Sequence, residues 1–239
     1  MKIKALTLDV DMFGAQSKIY PTLIWDDTGA TLIDVGFPGQ FEQLVQAVTA
    51  AGISFAQIKR VIITHQDWDH IGTLPEIIKA TNGKVELYAH INEKPYLEGT
   101  LPYLKMSPER IAVRLQSLPA EIREKAAATF ASIPTVIITQ TMADGDTLPF
   151  HSGIEVIHTP GHTPGHVCLY LKSHRLLIAG DQLRLENGHL VGPAEIHTPD
   201  MTTALNSLKK LASYDIERVI CYHGGLSEAR TSIRIAELC

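Results

Sequence analysis

Apolar residues along the chain fall into two successive stretches of short strand-like runs, each followed by residues at helical spacing. Segments 3–10, 18–25 and 30–34 predict strands, with Asp26-Asp27-Thr28-Gly29 as the turn between the last two. Residues 39–51, GQFEQLVQAVTAA, repeat their apolar positions with helical period, and Gly52 is placed to cap that helix. A strand at 60–64, a helix at 71–81 and a strand at 85–89 complete a β-helix-β arrangement. Between Asn92 and about Ser132 the pattern turns helical, and Pro95, Pro102, Pro108 and Pro119 divide it into short pieces. Ser107-Pro108-Glu109 and Pro119-Ala120-Glu121 put proline and acid where a first helical turn accepts them. This region, about 92–132, reads as a helical insert that either packs on the fold or shapes a substrate pocket.

Strands are expected again at 135–139, 147–150, 154–158, 166–171 and 175–180, the last two joined across Lys172-Ser173-His174 as a hairpin. A helix at 201–212, a strand at 217–222 and a final helix from about Ser227 close the pattern. The fold class is α/β. With 239 residues and 45% hydrophobic content, one domain over 1–239 can bury a sizeable core.

Composition narrows the function. No apolar stretch approaches the ~20 residues that span a bilayer, and the N-terminus lacks a signal-peptide core, so a cytoplasmic protein without membrane contact is expected. Cys168, Cys221 and Cys239 are widely separated and form no CxxC pair, which argues for free thiols and against a thiolate metal site. A net charge of −5 offers no basic excess for nucleic acid, so the expected partner is a small-molecule substrate.

The segment Thr64-His65-Gln66-Asp67-Trp68-Asp69-His70 follows the apolar run Val61-Ile62-Ile63 directly. Imidazole nitrogens and carboxylate oxygens are ordinary ligands of zinc and other first-row divalent ions, and a strand ending in a loop can fan them around one point. The same residues suit a polar turn whose aspartates cap the helix near Ile71. Three later clusters favour the metal reading. His158, His162 and His166 lie in a repeated TPGH unit, whose prolines forbid a regular helix and whose glycines permit tight turns. The apolar run Leu176-Leu177-Ile178-Ala179 leads into Gly180-Asp181, and Val219-Ile220-Cys221-Tyr222 leads into His223-Gly224-Gly225.

Leu32-Ile33-Asp34-Val35-Gly36, Thr64 through His70, Thr159 through His166, Gly180-Asp181 and His223-Gly224 match, in order, a LIDTG-like segment, THxHxDH, TPGHTxGH, a strand-end GD and a late HG. By these motifs the chain resembles the metallo-β-lactamase-fold hydrolase superfamily over nearly its whole length. The resemblance implies a four-layer αββα sandwich with a dinuclear site at one edge, between the sheets. It implies His65, Asp67 and His162 at a first metal ion, Asp69, His70 and His223 at a second, and Asp181 bridging both. The cofactors would be two divalent ions, zinc first, with Mn or Fe as alternatives. His166 would orient a ligand as a donor, and Asp34 would hold ligand imidazoles or the loop.

The implied activity is hydrolysis of a small-molecule ester, lactone or thioester by a bridging water or hydroxide, with Asp69 accepting or returning the proton. Phosphodiester or β-lactam hydrolysis on the same fold, or a non-catalytic metal-binding regulatory role, are the alternatives. One position departs from the family pattern: Asp67 stands where most members have histidine. Three carboxylates, Asp67, Asp69 and Asp181, against two divalent ions and a hydroxide would make the core neutral, favouring harder ions such as Mn²⁺ or Fe²⁺ somewhat more than usual. His90, His151, His174, His189 and His197 read as surface or structural histidines, and Arg184 as a solvated charge rather than an anion contact.

Overall fold

Strands buried on both faces read as continuous apolar runs, and such runs form the two central sheets of this protein. The computed structural model describes residues 1–12 and 14–239. In its first half the elements are β1 (Lys2–Ala5), β2 (Leu8–Met12), β3 (Ala15–Ile19), β4 (Thr22–Asp26), β5 (Gly29–Ile33), α1 (Phe41–Ala50), β6 (Ile58–Ile63), α2 (Trp68–Ile71), α3 (Leu74–Ala80) and β7 (Glu86–His90). Helices α4 (Lys94–Leu97), α5 (Pro108–Ser117) and α6 (Ala120–Ala131) follow. The second half holds β8 (Gln140–Met142), β9 (Thr147–Leu148), β10 (Ile154–His158), β11 (Val167–Leu171), β12 (Leu176–Ile178), β13 (Arg184–Glu186), β14 (His189–Val191), α7 (Met201–Leu211), β15 (Arg218–Cys221), β16 (Gly225–Ser227) and α8 (Thr231–Leu238).

One six-stranded sheet runs β1-β4-β5-β6-β7-β8 and the other β16-β15-β12-β11-β10-β9. Period-two alternation sends successive side chains to opposite faces. Ile24, Ile33 and Ile62 from the first sheet meet Val156, Val167, Leu169, Ile178 and Ile220 from the second, forming the layer between the sheets. The alternate residues Leu32, Val61, Ile63 and Leu87 pack outward on Leu44 and Val48 of α1 and on Leu74 and Ile77 of α3. Cys168, Tyr170, Leu177 and Val219 pack outward on Leu208 and Leu211 of α7 and Ile235 of α8. The result is the αββα sandwich, helices outside and two sheets within. Among the described residues, no helix is long and apolar enough to cross a membrane.

Several segments depart from the pattern-based expectation for identifiable reasons. The expected strand 18–25 is broken at Pro21, whose carbonyl accepts from Leu6 N at 2.7 Å; β1 then pairs with β4, while β2 and β3 form a separate hairpin. Residues 135–139 do not form a strand. Val136 N donates instead to Leu97 O at 2.9 Å and Ile138 N to Glu98 Oε1 at 3.0 Å, at the end of α4; Thr139 N reaches Leu87 O of β7, and the sheet strand begins at Gln140. The final helix starts at Thr231 rather than near Ser227, because Gly225–Ser227 pairs with β15 as an edge strand.

The three thiols are free, with Cys168 and Cys221 buried and Cys239 exposed. Burial pushes the Cys168 thiol up to about 12 and raises Cys221 as well, which keeps both protonated and unreactive. A thiol-specific reagent is therefore expected to titrate about one thiol in the folded chain and all three after denaturation. Fast reaction of more than one in native buffer would contradict this packing.

Candidate metal centre

Strands β5 and β6 run parallel, as do β12 and β15, and the carboxyl ends of both pairs lie at one edge of the sandwich. Chain leaving the carboxyl end of a parallel strand enters a loop, where side chains are free to converge on a ligand. Asp34 follows β5, Thr64 and His65 follow β6, Gly180 and Asp181 lie just beyond β12, and Tyr222 and His223 follow β15. The short α2 supplies Asp69 and His70 on consecutive positions. Asp67 occupies the cap position of that helix, yet its side chain makes no capping hydrogen bond. Its carboxylate turns into the cluster instead, which removes the capped-turn reading.

Ligand atoms gather into two sets. One is His65, Asp67, His162 and Asp181, and the other is Asp69, His70 and His223, with the atoms of each set within 4.8 Å of one another. In the first, Asp67 Oδ2 lies 3.4 Å from His65 Nε2 and 3.0 Å from His162 Nε2. In the second, Asp69 Oδ2 lies 3.5 Å from His70 Nε2 and 3.4 Å from His223 Nε2. Asp181 divides its oxygens between them. Its Oδ2 faces His162 Nε2 at 3.3 Å and His65 Nε2 at 4.0 Å, while Oδ1 faces His70 Nε2 at 3.3 Å and His223 Nε2 at 3.4 Å.

The donor chemistry fits divalent ions. His65 Nε2, His70 Nε2 and Asp181 Oδ1 are buried without a hydrogen-bond partner, an arrangement that is costly unless a cation completes it. Burial draws the His65 imidazole down to about 4, and the neighbouring His70 adds to that effect. Burial would lower His70 too, but the carboxylates of Asp34, Asp69 and Asp181 outweigh it and hold His70 well above the usual histidine range. His223 is likewise raised, against burial, to about 10 by Asp181 and Asp69. Burial opposes charge on Asp181, yet His223 and His70 keep its carboxyl well below the usual range. Such a field attracts cations, and a divalent ion competes with protons for the same imidazole nitrogens.

Residues around the ligands fix their orientation. Buried Asp34 accepts from Thr64 N at 2.9 Å, from Thr64 Oγ1 at 2.8 Å and from His70 Nδ1 at 2.9 Å, leaving His70 Nε2 as the atom aimed at the centre. His166 is not gathered into either set. Its Nε2 accepts from Asp181 N at 3.0 Å, so the proton sits on Nδ1, which donates to Thr159 Oγ1 at 2.8 Å. The expected donor is thus an acceptor, and it acts on the backbone of Asp181. Gly180 permits that contact: its φ is +50°, and a Cβ there would lie 2.6 Å from His166 Nε2.

Three supporting residues went unseen in the sequence. Glu93, fully buried, accepts from Gln66 N at 2.9 Å, Gln66 Nε2 at 3.0 Å and Gly165 N at 2.6 Å, tying the two ligand loops together. Tyr222 donates its hydroxyl to Asp69 O and accepts from Gly36 N. Lys105, from the segment between α4 and α5, places Nζ 2.6 Å from Asp67 Oδ2 and 2.7 Å from His162 Nε2. Burial works against charge on Asp67, but Lys105 and His65 outweigh it and hold the carboxyl well below the usual range. The charge count made from the sequence has no partner for Asp67, whereas here an ammonium matches its negative charge. None of these three lies in a recognisable motif; only the short spacing of Glu93 from β7 and of Tyr222 from His223 hinted at the site.

A cavity of about 250 Å³ opens over the centre, lined by Asp67, Asp69, Lys105, Arg114, His197 and His223 among others. Trp68 lines it too and packs on Phe37 and Phe130, with ring centroids 5.0 and 5.1 Å away. Arg184 is elsewhere, paired with Glu186. Of the remaining histidines, His151 bonds Asp26 and Thr31, and His90 stacks on His158 at 4.0 Å, whereas His197 borders the cavity.

Comparison with known proteins identifies the family. The family model of the metallo-beta-lactamase superfamily matches residues 17–223. A probable metallo-hydrolase of Bacillus subtilis (strain 168), YflN, is 32% identical over 205 residues, covering 81% of this chain and 74% of that protein. The hydroxyacylglutathione hydrolase GloC of Haemophilus influenzae is 26% identical, covering 85% and 84%. A solved metallo-beta-lactamase family protein of Thermus thermophilus superposes with a TM-score of 0.73 at 21% identity, covering 99% of this chain and 77% of that one. With a family model spanning most of its length and a relative this similar, the chain belongs to the metallo-beta-lactamase superfamily and is a metallo-hydrolase.

Proposed function

We propose that this metallo-hydrolase cleaves a small anionic ester, lactone or thioester, with two divalent ions, zinc first and Mn or Fe as alternatives, held by the two ligand sets. The carrying observation is Asp181, whose two oxygens face the two sets separately at the floor of the cavity. Ions bound there would supply a Lewis acid for the substrate carbonyl oxygen and an acidified water. The chain's own groups do the rest. Asp69 borders the cavity and accepts or returns the proton at its carboxylate. Arg114 borders the same space and favours an anionic substrate, His197 beside it offers a hydrogen-bonding imidazole, and Trp68 and Met106 give an apolar wall.

A thioester is the favoured member of the class, because GloC and two further relatives carry the name hydroxyacylglutathione hydrolase. Purified protein reconstituted with Zn²⁺, Mn²⁺ or Fe²⁺ and assayed on thioester, lactone, ester, phosphodiester and β-lactam substrates, each in anionic and neutral form, tests the reading. Turnover is expected to be greatest on an anionic thioester or ester and to vanish on chelation. Preference for a phosphodiester or β-lactam would replace the substrate class. No turnover by metal-loaded protein on any of the five would favour a non-catalytic metal-binding role.

A further inference from the structure

We propose that Lys105 is a built-in competitor for the first metal ion, so that the set Asp69, His70 and His223, with Asp181, fills first. The second equivalent then enters only by expelling the Lys105 ammonium. Its Nζ bonds two of the first set's own ligand atoms, Asp67 Oδ2 at 2.6 Å and His162 Nε2 at 2.7 Å. An imidazole nitrogen that accepts from an ammonium has no lone pair left for a metal, so occupation by one excludes the other. Among the described residues no lysine or arginine nitrogen bonds the ligand atoms of the second set, whose neighbours there are imidazoles and carboxylates of the set itself.

The position of Lys105 is built rather than accidental. Its residue is only 8% exposed, and burying an ammonium is costly unless it is paired. Leu104 N donates to Gln66 Oε1 at 2.8 Å, and Gln66 is itself held by Glu93, so the insert is fastened to the ligand loop one residue before Lys105. Charge explains why a half-loaded state is stable. Asp67, Asp69 and Asp181 carry three negative charges, which one divalent ion and one ammonium balance with three positive ones. A second divalent ion meets a centre already neutral and must also break both Lys105 bonds. Asp67 and Lys105 thus form one device: the carboxylate that replaces the family's histidine is the group that anchors the lysine.

This inference rests on the proposed metal-site reading and deepens it. Metal-free wild-type and Lys105→Met protein would be titrated with Zn²⁺ by calorimetry, with bound metal counted by elemental analysis and folding checked by circular dichroism. Wild type is expected to take one tight equivalent and a second that is weaker by about tenfold to a hundredfold, the usual worth of a hydrogen bond to a charged group. Lys105→Met is expected to bring the second equivalent close to the first. Independently of any variant, lysine-specific acylation followed by mass spectrometry should find Lys105 protected at one equivalent of Zn²⁺ and labelled at two. Two equal equivalents in wild type, or Lys105 labelling that is the same at one and two, would overturn the role of Lys105. Failure to bind any divalent ion would instead defeat the metal-site reading itself.

Discussion

Asp69→Asn is expected to lower kcat by about a thousandfold in protein that still carries its metal, within the 10²–10⁴ range of a positioned acid–base group. The substitution preserves size and shape, and the contacts it disturbs are few: Asp69 Oδ2 faces His70 Nε2 at 3.5 Å and His223 Nε2 at 3.4 Å. Asparagine still offers an oxygen to an ion, but it cannot take up a proton at the rate-determining step. Loss of ligand charge and loss of proton transfer are separable by assay. If weaker metal binding were the whole effect, kcat would recover as Zn²⁺ is raised to saturation; if Asp69 carries the proton, kcat stays low at full loading. Near-normal kcat in metal-replete Asp69→Asn would exclude the role.

How much of this centre can be read from the sequence depends on where each group lies along the chain. His65, Asp67, Asp69, His70, His162, Asp181 and His223 stand in four short segments at the ends of apolar runs, so pattern and motif find them together. Glu93, Lys105 and Arg114 are isolated residues of the insert, and only its folding over the ligand loops brings them to the site. Strand β10 is legible to the residue because Ile154, Val156 and Ile157 are buried and both neighbours pair with it. Residues 135–139 have a strand-like alternation, Val136 and Ile138 buried and Ile137 exposed, yet the amides of Val136 and Ile138 bond Leu97 and Glu98 at the end of α4, and only Thr139 reaches β7. Alternation reports which side of an extended segment is buried, not what its backbone bonds to. The turn after His223 is similarly hidden: Gly224 has φ +113° and approaches Leu185 so closely that a Cβ would lie 2.3 Å from its carbonyl oxygen. That contact joins segments almost forty positions apart, and the HG motif alone does not reveal it.

Asp34→Asn is expected to produce the larger combined loss, in stability and in metal affinity at once. The carboxylate is buried at 1% exposure and accepts all three of its hydrogen bonds from donors: the amide and hydroxyl of Thr64 and Nδ1 of His70. An asparagine in the same place can accept with its oxygen, but its NH₂ then points at one of those donors. Either Thr64 N–H or His70 Nδ1–H is left facing another hydrogen. Breaking a buried charge-assisted arrangement of this kind costs roughly 3 kcal/mol, which in a chain of this size corresponds to a fall of about 6–12 °C in Tm. The effect on metal follows from the same geometry. With Nδ1 released, the His70 ring is free to turn, and its Nε2 no longer has a fixed direction toward Asp69 and Asp181; losing such an orienting partner weakens metal binding by about 10- to 100-fold. Thermal unfolding of metal-free protein isolates the first loss, and Zn²⁺ titration of folded protein isolates the second. Since Asp34 bonds a ligand of the second set and none of the first, the tight equivalent should be the one that weakens. An Asp34→Asn protein that melts like wild type and keeps its tight equivalent would show that Thr64 and the backbone of β6 hold His70 in place without this carboxylate.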